Sequence, residues 1–148
     1  MRYISQYNLN TRALELFITG CCGKCTGCHN HELKSYDIGT KITDEEIERI
    51  ALKTTSNIVD NVMIMGGEPL DRPTEELMVL LNRLDQTGLP IWLFTRYEIT
   101  DVPEKIREVC AFIKTGEYIE ELRTKRHTYF GIELATSNQK ILKKGTNY

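Results

Sequence analysis

Polar and apolar positions alternate along this chain in short runs of two kinds. Positions 14–19 (LELFIT) form a compact apolar run ending at Gly20, which predicts a buried strand. The pattern recurs at 60–65 (DNVMIM), stopped by Gly66-Gly67, and again at 91–95 (IWLFT) and 110–114 (CAFIK). Between these runs the spacing becomes helical. Thr43 followed by Asp44, Glu45 and Glu46 reads as a capped, acidic helix start, with Ile47 and Ile50 on one face of a helix reaching Lys53. After Pro73, expected at the first helical position, Leu77, Leu80, Leu81 and Leu84 keep helical spacing over 75–86, and Gly88 ends the run. A shorter helix follows Pro103. Beyond it, 129–135 suggests another strand and 137–142 an irregular or helical stretch.

Strand–helix alternation is the mark of right-handed parallel units, and four or five such units are too few to close an eight-unit barrel. The expected fold is therefore α/β: an open partial (βα) barrel of about four to six mostly parallel strands, in a single domain over residues 1–148. Ligands of parallel α/β folds bind beyond the carboxyl ends of the strands. Three distinctive segments stand there: a cysteine loop after the first run, Gly66-Gly67-Glu68-Pro69 after the second and Thr95-Arg96-Tyr97 after the third.

Composition narrows the partners. A net charge of -2 gives no reason to expect nucleic acid or an anionic membrane surface. The longest apolar runs, 13–18 and 62–65, are too short to span a bilayer. The N-terminal positions lack the apolar segment of a secretory leader, so the expected location is the cytoplasm.

Five cysteines are an odd number for disulfide pairing, and four of them fall within 21–28. A cluster of this kind points to metal ligation. Two registers are open, C-x3-C-x2-C from Cys21 or C-x2-C-x2-C from Cys22, and either places three thiolates on one glycine-containing loop. A ferredoxin run would add a fourth cysteine followed by proline, and this chain has no cysteine between 28 and 110. Three protein ligands leave one iron of a four-iron cluster open, which suits catalysis better than electron storage. Zinc on the same cysteines with His29 or His31 is the competing reading, although zinc sites usually join two separated ligand pairs.

Together, the cysteine loop and Gly66-Gly67-Glu68-Pro69 at consecutive strand ends resemble the radical S-adenosylmethionine superfamily. Within it, the chain is most similar to the small activating proteins of anaerobic ribonucleoside-triphosphate reductases. Shared features are TGC entering the loop, C-x-G-C-x-N closing it, GGEPL, a T-x-Y segment and Ser137-Asn138-Gln139. The resemblance implies a [4Fe–4S] cluster on Cys21, Cys25 and Cys28, whose open iron chelates S-adenosyl-L-methionine. It implies cofactor contacts from Gly27, His29, Gly66, Gly67, Glu68, Thr95, Lys114 and Asn138, with Cys28 between the first two. It also implies the chemistry: reductive cleavage to methionine and a 5′-deoxyadenosyl radical, which takes hydrogen from a glycine of a large glycyl radical enzyme. The implied partners are that enzyme, an anaerobic (class III) ribonucleotide reductase, and a reduced flavodoxin- or ferredoxin-type electron donor. The chain departs from the family at His29, where tyrosine is usual, at Arg96, where glycine is usual, and at Asn8–Arg12, which replaces a glycine-rich approach.

Two other functions remain as alternatives: activation of a formate-lyase type glycyl radical enzyme, or a non-enzymatic iron–sulfur or zinc module. Elsewhere plainer roles are expected. Cys110 reads as a small buried hydrophobe, Trp92 and Phe94 as packing, and His31 and His127 as surface residues. The basic run 123–127 reads as a solvated face or a dock for an acidic partner.

Overall fold

The computed structural model describes residues 1–148. The run at 14–19 forms a strand, Ala13–Ile18, but it is the second of the chain. Arg2–Asn8 precedes it as β1 and pairs antiparallel with it (β2) along the whole length, Tyr3 opposite Ile18 and Asn8 opposite Ala13. β1 carries little hydrophobic pattern because only Tyr3 is buried. Thr40–Lys41 (β3) borders β1 on its outer side.

The four anticipated strands make the centre. Next to β2 lie Asn61–Gly66 (β4), Ile91–Phe94 (β5) and Phe112–Thr115 (β6), each parallel to its neighbour. β6 begins at Phe112, two positions later than the sequence pattern indicates, because Cys110 caps the preceding helix. The stretch 137–142 is neither irregular nor helical throughout. Lys140–Lys143 (β9) closes the sheet antiparallel to β6, burying Ile141 between exposed lysines, as edge strands often do. The sheet order is β3-β1-β2-β4-β5-β6-β9. The expected strand at 129–135 is a short hairpin instead, Thr128–Tyr129 (β7) with Ile132–Glu133 (β8). Its two-residue turn, Phe130-Gly131, has positive φ at both positions, the geometry that suits tight hairpins.

Three helices connect the strands. In α1 (Asp44–Lys53), the Thr43 hydroxyl accepts the Glu46 N–H at 3.2 Å, the expected cap. Pro73 stands one position before α2 (Thr74–Asp85), as its N-cap rather than its first residue. α3 spans Glu104–Val109. All three pack on one face of the sheet, where Leu14, Leu16, Ile64 and Leu93 meet Ile50, Leu77, Leu81 and Ile106 in one buried cluster. The opposite face has no helix. There Ala13, Met63, Trp92, Leu134 and Ile141 form a smaller cluster, with Trp92 stacked on Phe112 at 3.9 Å. This asymmetry leaves a hollow on the uncovered side, at the carboxyl ends of the parallel strands. No helix of the chain is long and apolar enough to cross a membrane.

Candidate functional site

At that end lies a cavity of about 210 Å³. Cys21, Cys25, Cys28 and His29 line one side of it, after β2. Gly66, Gly67 and Glu68 contribute from the turn after β4, Thr95 and Arg96 from the segment after β5, and Lys114 from β6. Tyr118, Ala135 and Gln139 complete the wall.

The glycine pair lets two backbones touch. Gly66 has φ +129, and a Cβ on it would lie 2.3 Å from the Ile18 carbonyl oxygen. A Cβ on Gly67 would lie 2.5 Å from the Gly20 carbonyl oxygen and 2.7 Å from that of Leu33. Hydrogen bonds close the contact: Gly67 N donates to Ile18 O at 2.9 Å, and Glu68 N to Gly20 O at 3.0 Å. Any side chain here would push the turn away from the cysteine loop.

Glu68 is 1% exposed, and its carboxylate is engaged by the protein itself. Oε1 accepts the Thr95 hydroxyl at 2.7 Å and the Leu70 N–H at 3.0 Å, and Oε2 accepts the Arg96 N–H at 2.7 Å. Burial pushes the Glu68 carboxyl above the ordinary range despite these donors. The sequence marks Glu68 and Thr95 as separate cofactor contacts; the structure joins them in one brace between the ends of β4 and β5. Lys114 donates to the Gly116 carbonyl at 2.7 Å and more loosely to that of Thr95 at 3.4 Å, and burial pulls its ammonium down to about 8.

His29 packs edge-on against Tyr118, with ring centroids 4.9 Å apart. Gly27 and Asn138 lie outside the cavity wall. Asn138 instead ties Glu117 O at 3.0 Å and accepts the Thr136 hydroxyl at 2.6 Å, holding the segment that presents Gln139 to the cavity. His127, expected at the surface, is half-buried with Nε2 2.6 Å from the Gln139 carbonyl. Cys110 is fully buried, as expected of a packing residue.

The four thiols of the loop are sorted. Cys21, Cys25 and Cys28 border the cavity; Cys22 is exposed and not part of its lining, and Arg96 Nη2 reaches its Sγ at 3.4 Å. Burial raises the Cys21 thiol above its ordinary range, and Asp71 does the same for Cys22 through a hydrogen bond. No three Cys, His, Asp or Glu side chains converge closely enough to ligate one ion. Three thiols bordering one cavity are the ligand type that iron–sulfur clusters take.

Sequence reasoning left Asp71, Tyr97, Tyr118 and Gln139 unassigned. Tyr97 and Gln139 were visible only as members of the T-x-Y and Ser137-Asn138-Gln139 segments, Asp71 only as an acid three residues after Glu68, and Tyr118 carried no signal.

Comparison with known proteins adds four relationships. A family profile described as a 4Fe-4S single cluster domain matches residues 11–142. The anaerobic ribonucleoside-triphosphate reductase-activating protein of Enterobacteria phage T4 is 28% identical over 115 residues, covering 75% of this chain and 74% of that protein. The protein of the same name from Vibrio cholerae is 27% identical over 114 residues, covering 72% and 74%. A probable GTP 3',8-cyclase of Methanocella arvoryzae is 37% identical over 70 residues, 47% of this chain and 22% of that protein.

Proposed function

Given that the chain belongs to the 4Fe-4S single cluster domain family, we propose that it is a radical S-adenosylmethionine activase for an anaerobic ribonucleoside-triphosphate reductase. Cys21, Cys25 and Cys28 would hold its [4Fe–4S] cluster. When bound, the cluster and S-adenosyl-L-methionine would supply reductive cleavage of the sulfonium carbon–sulfur bond and, from it, hydrogen abstraction from a glycine of the reductase. The protein's share is positioning and exclusion of water. Gly66 and Gly67 bring bare backbone to the cavity, where it can receive the methionine end of the cofactor. Glu68 and Thr95 lock the strand ends, and Glu68 Oε2 has lone-pair capacity left for an ammonium. Lys114 and the His29–Tyr118 pair form the remaining wall beside the nucleoside. Gly27 and Asn138 would support this arrangement from behind. On this reading the sheet is an open partial (βα) barrel, hollow on its helix-free face. The electron comes from a reduced flavodoxin- or ferredoxin-type protein, and the setting is cytoplasmic.

What carries the proposal is the sorting of the loop thiols, three at the cavity and Cys22 outside it. It is supported by the phage and Vibrio relatives, which are named as activating proteins of such reductases. The test is anaerobic reconstitution. Wild-type protein and Cys22→Ala should bind about four irons per chain, whereas Cys21→Ala, Cys25→Ala and Cys28→Ala should not. Adding S-adenosylmethionine should change the EPR spectrum of the reduced cluster, and the loaded protein should generate a glycyl radical on the reductase. Iron binding unaffected by Cys21→Ala, or a spectrum indifferent to S-adenosylmethionine, would overturn the proposal.

A further inference from the structure

The cysteine loop carries one thiol more than the cluster uses, so some feature must select the three that face it. Asp71 and Arg96 stand where that selection is made. The Asp71 side chain is 4% exposed, and both its oxygens are occupied. Oδ2 accepts the Cys22 backbone N–H at 2.8 Å. Oδ1 accepts Arg96 Nη2 at 3.1 Å and the Tyr97 hydroxyl at 2.7 Å. The Arg96 guanidinium lies 4.2 Å from the Tyr97 ring centre, and its Nη2 also reaches Cys22 Sγ. A buried carboxylate paired with a guanidinium and further donors holds its neighbours firmly, since displacing any of them leaves a charge uncompensated. Cys22 is thus pinned by its backbone, with its thiol drawn to the outer side.

A second observation concerns Arg96 alone. Its Nε is buried without a hydrogen-bond partner although the residue lines the cavity, and the nearest carboxylate oxygen, Glu68 Oε2, is 4.0 Å away. It lies close to the first cluster cysteine: a Cβ on Gly23 would be 3.1 Å from both Arg96 Nε and Cys21 Sγ. Buried N–H groups are seldom left unpaired.

We propose that Asp71 and Arg96 are positioning residues that set the ligand register of the loop, holding Cys22 outside the cavity and leaving the Arg96 Nε–H as a donor to the sulfur atoms of a bound cluster. The inference rests on the cluster reading above. A hydrogen bond and a positive charge at cluster sulfurs stabilise the reduced state and raise its potential, so Arg96 favours entry of the electron.

The test has two arms. In the cluster-free protein, alkylation of Cys22 followed by mass spectrometry should be severalfold faster in Asp71→Ala than in wild type, because losing the acceptor of the Cys22 N–H frees that part of the loop, with Asp71→Asn between them. In reconstituted protein, Arg96→Leu should shift the cluster midpoint potential to more negative values, and Arg96→Lys should recover part of the shift. Circular dichroism identifies variants that fail to fold; should Asp71→Ala fail, the Asp71→Asn comparison decides the first arm. Unchanged Cys22 reactivity refutes the positioning role, and an unchanged potential in Arg96→Leu refutes the donor role. Wild-type protein that takes up no iron would instead refute the cluster reading, and the alkylation arm would still stand.

Discussion

Gly66 and Gly67 should be the most sensitive positions of the turn after β4, for reasons that differ between them. At Gly66, alanine would meet two penalties. Its φ of +129 is a conformation that L residues rarely adopt, worth about 1–2 kcal/mol. Its Cβ would also fall 2.3 Å from the Ile18 carbonyl oxygen, a backbone atom that cannot rotate away. Relieving such overlap by moving β4 against β2 costs about 1–3 kcal/mol. Gly67 carries no positive φ and meets only the overlap, with the Gly20 and Leu33 carbonyls. Gly88 is the internal control: φ is +76, yet nothing lies within 4 Å of a Cβ placed there. The smaller entropy of the unfolded alanine chain offsets about 0.4–1 kcal/mol at each site. The net expectation is a loss of about 1 kcal/mol for Gly88→Ala, about 1–2 for Gly67→Ala and about 3 for Gly66→Ala. Urea unfolding of the cluster-free protein, followed by far-UV circular dichroism with m held equal, measures all three. The reasoning fails if Gly66→Ala and Gly67→Ala cost no more than Gly88→Ala.

Other outcomes follow from the same geometry. Glu68→Ala leaves the Thr95 hydroxyl and the Leu70 and Arg96 N–H groups without an acceptor and should cost about 3–5 kcal/mol in the same urea assay, with Glu68→Gln intermediate; a loss below 1 kcal/mol would contradict the brace. Lys114 releases its proton near 8 in the folded chain but at the ordinary, higher lysine value when unfolded, so the unfolded state binds more protons between the two. Its contribution to stability therefore rises with pH through that window, and the wild-type-minus-Lys114→Met difference in unfolding free energy should increase from pH 7 to pH 10, whatever the buried tyrosines and Cys110 add to both proteins. Cys110, fully buried with its thiol pushed up to about 12, should be the last cysteine alkylated in the cluster-free native protein and should label only as the chain unfolds, which mass spectrometry resolves.

What could be read from the sequence was whatever local chemistry announces by itself. The strand β5 is apolar on both faces, β2 and β4 nearly so but for Glu15 and Asn61, and α1 and α2 carry clean periodicity with recognisable ends, so their order and the motifs after them were legible. β1 was not, because its partner β2 supplies the apolar surface and Arg2–Asn8 contributes one buried side chain. β9 was hidden for a similar reason: two apolar residues between lysines specify an edge strand only once β6 offers a ladder to join. The three cavity cysteines were legible as residue types. The exclusion of Cys22 was legible only through the family resemblance; its dependence on a contact with Asp71, forty-nine positions away along the chain, was not.

That dependence has a topological cause. In the order β2-β4-β5, β4 is the middle strand, so the turn that follows it lies between the loop after β2 and the segment after β5. A side chain there can touch both, including a short one, whereas contact between the outer two segments is left to the long Arg96 side chain, whose Nη2 reaches Cys22 Sγ. Both buried acids of the site, Glu68 and Asp71, are on that turn, and each reaches both ways. Glu68 meets Gly20 through its N–H and Thr95 and Arg96 through its carboxylate. Asp71 meets Cys22 through one oxygen and Arg96 and Tyr97 through the other. The turn after the central strand is therefore where a substitution should disturb the cysteine loop and the Arg96 segment together, and the two should respond as one unit: combining Asp71→Asn with Arg96→Lys should cost less than the sum of the single changes when each is measured by urea unfolding. Additive losses would mean that the acids brace each side separately, and the bridging role would be lost.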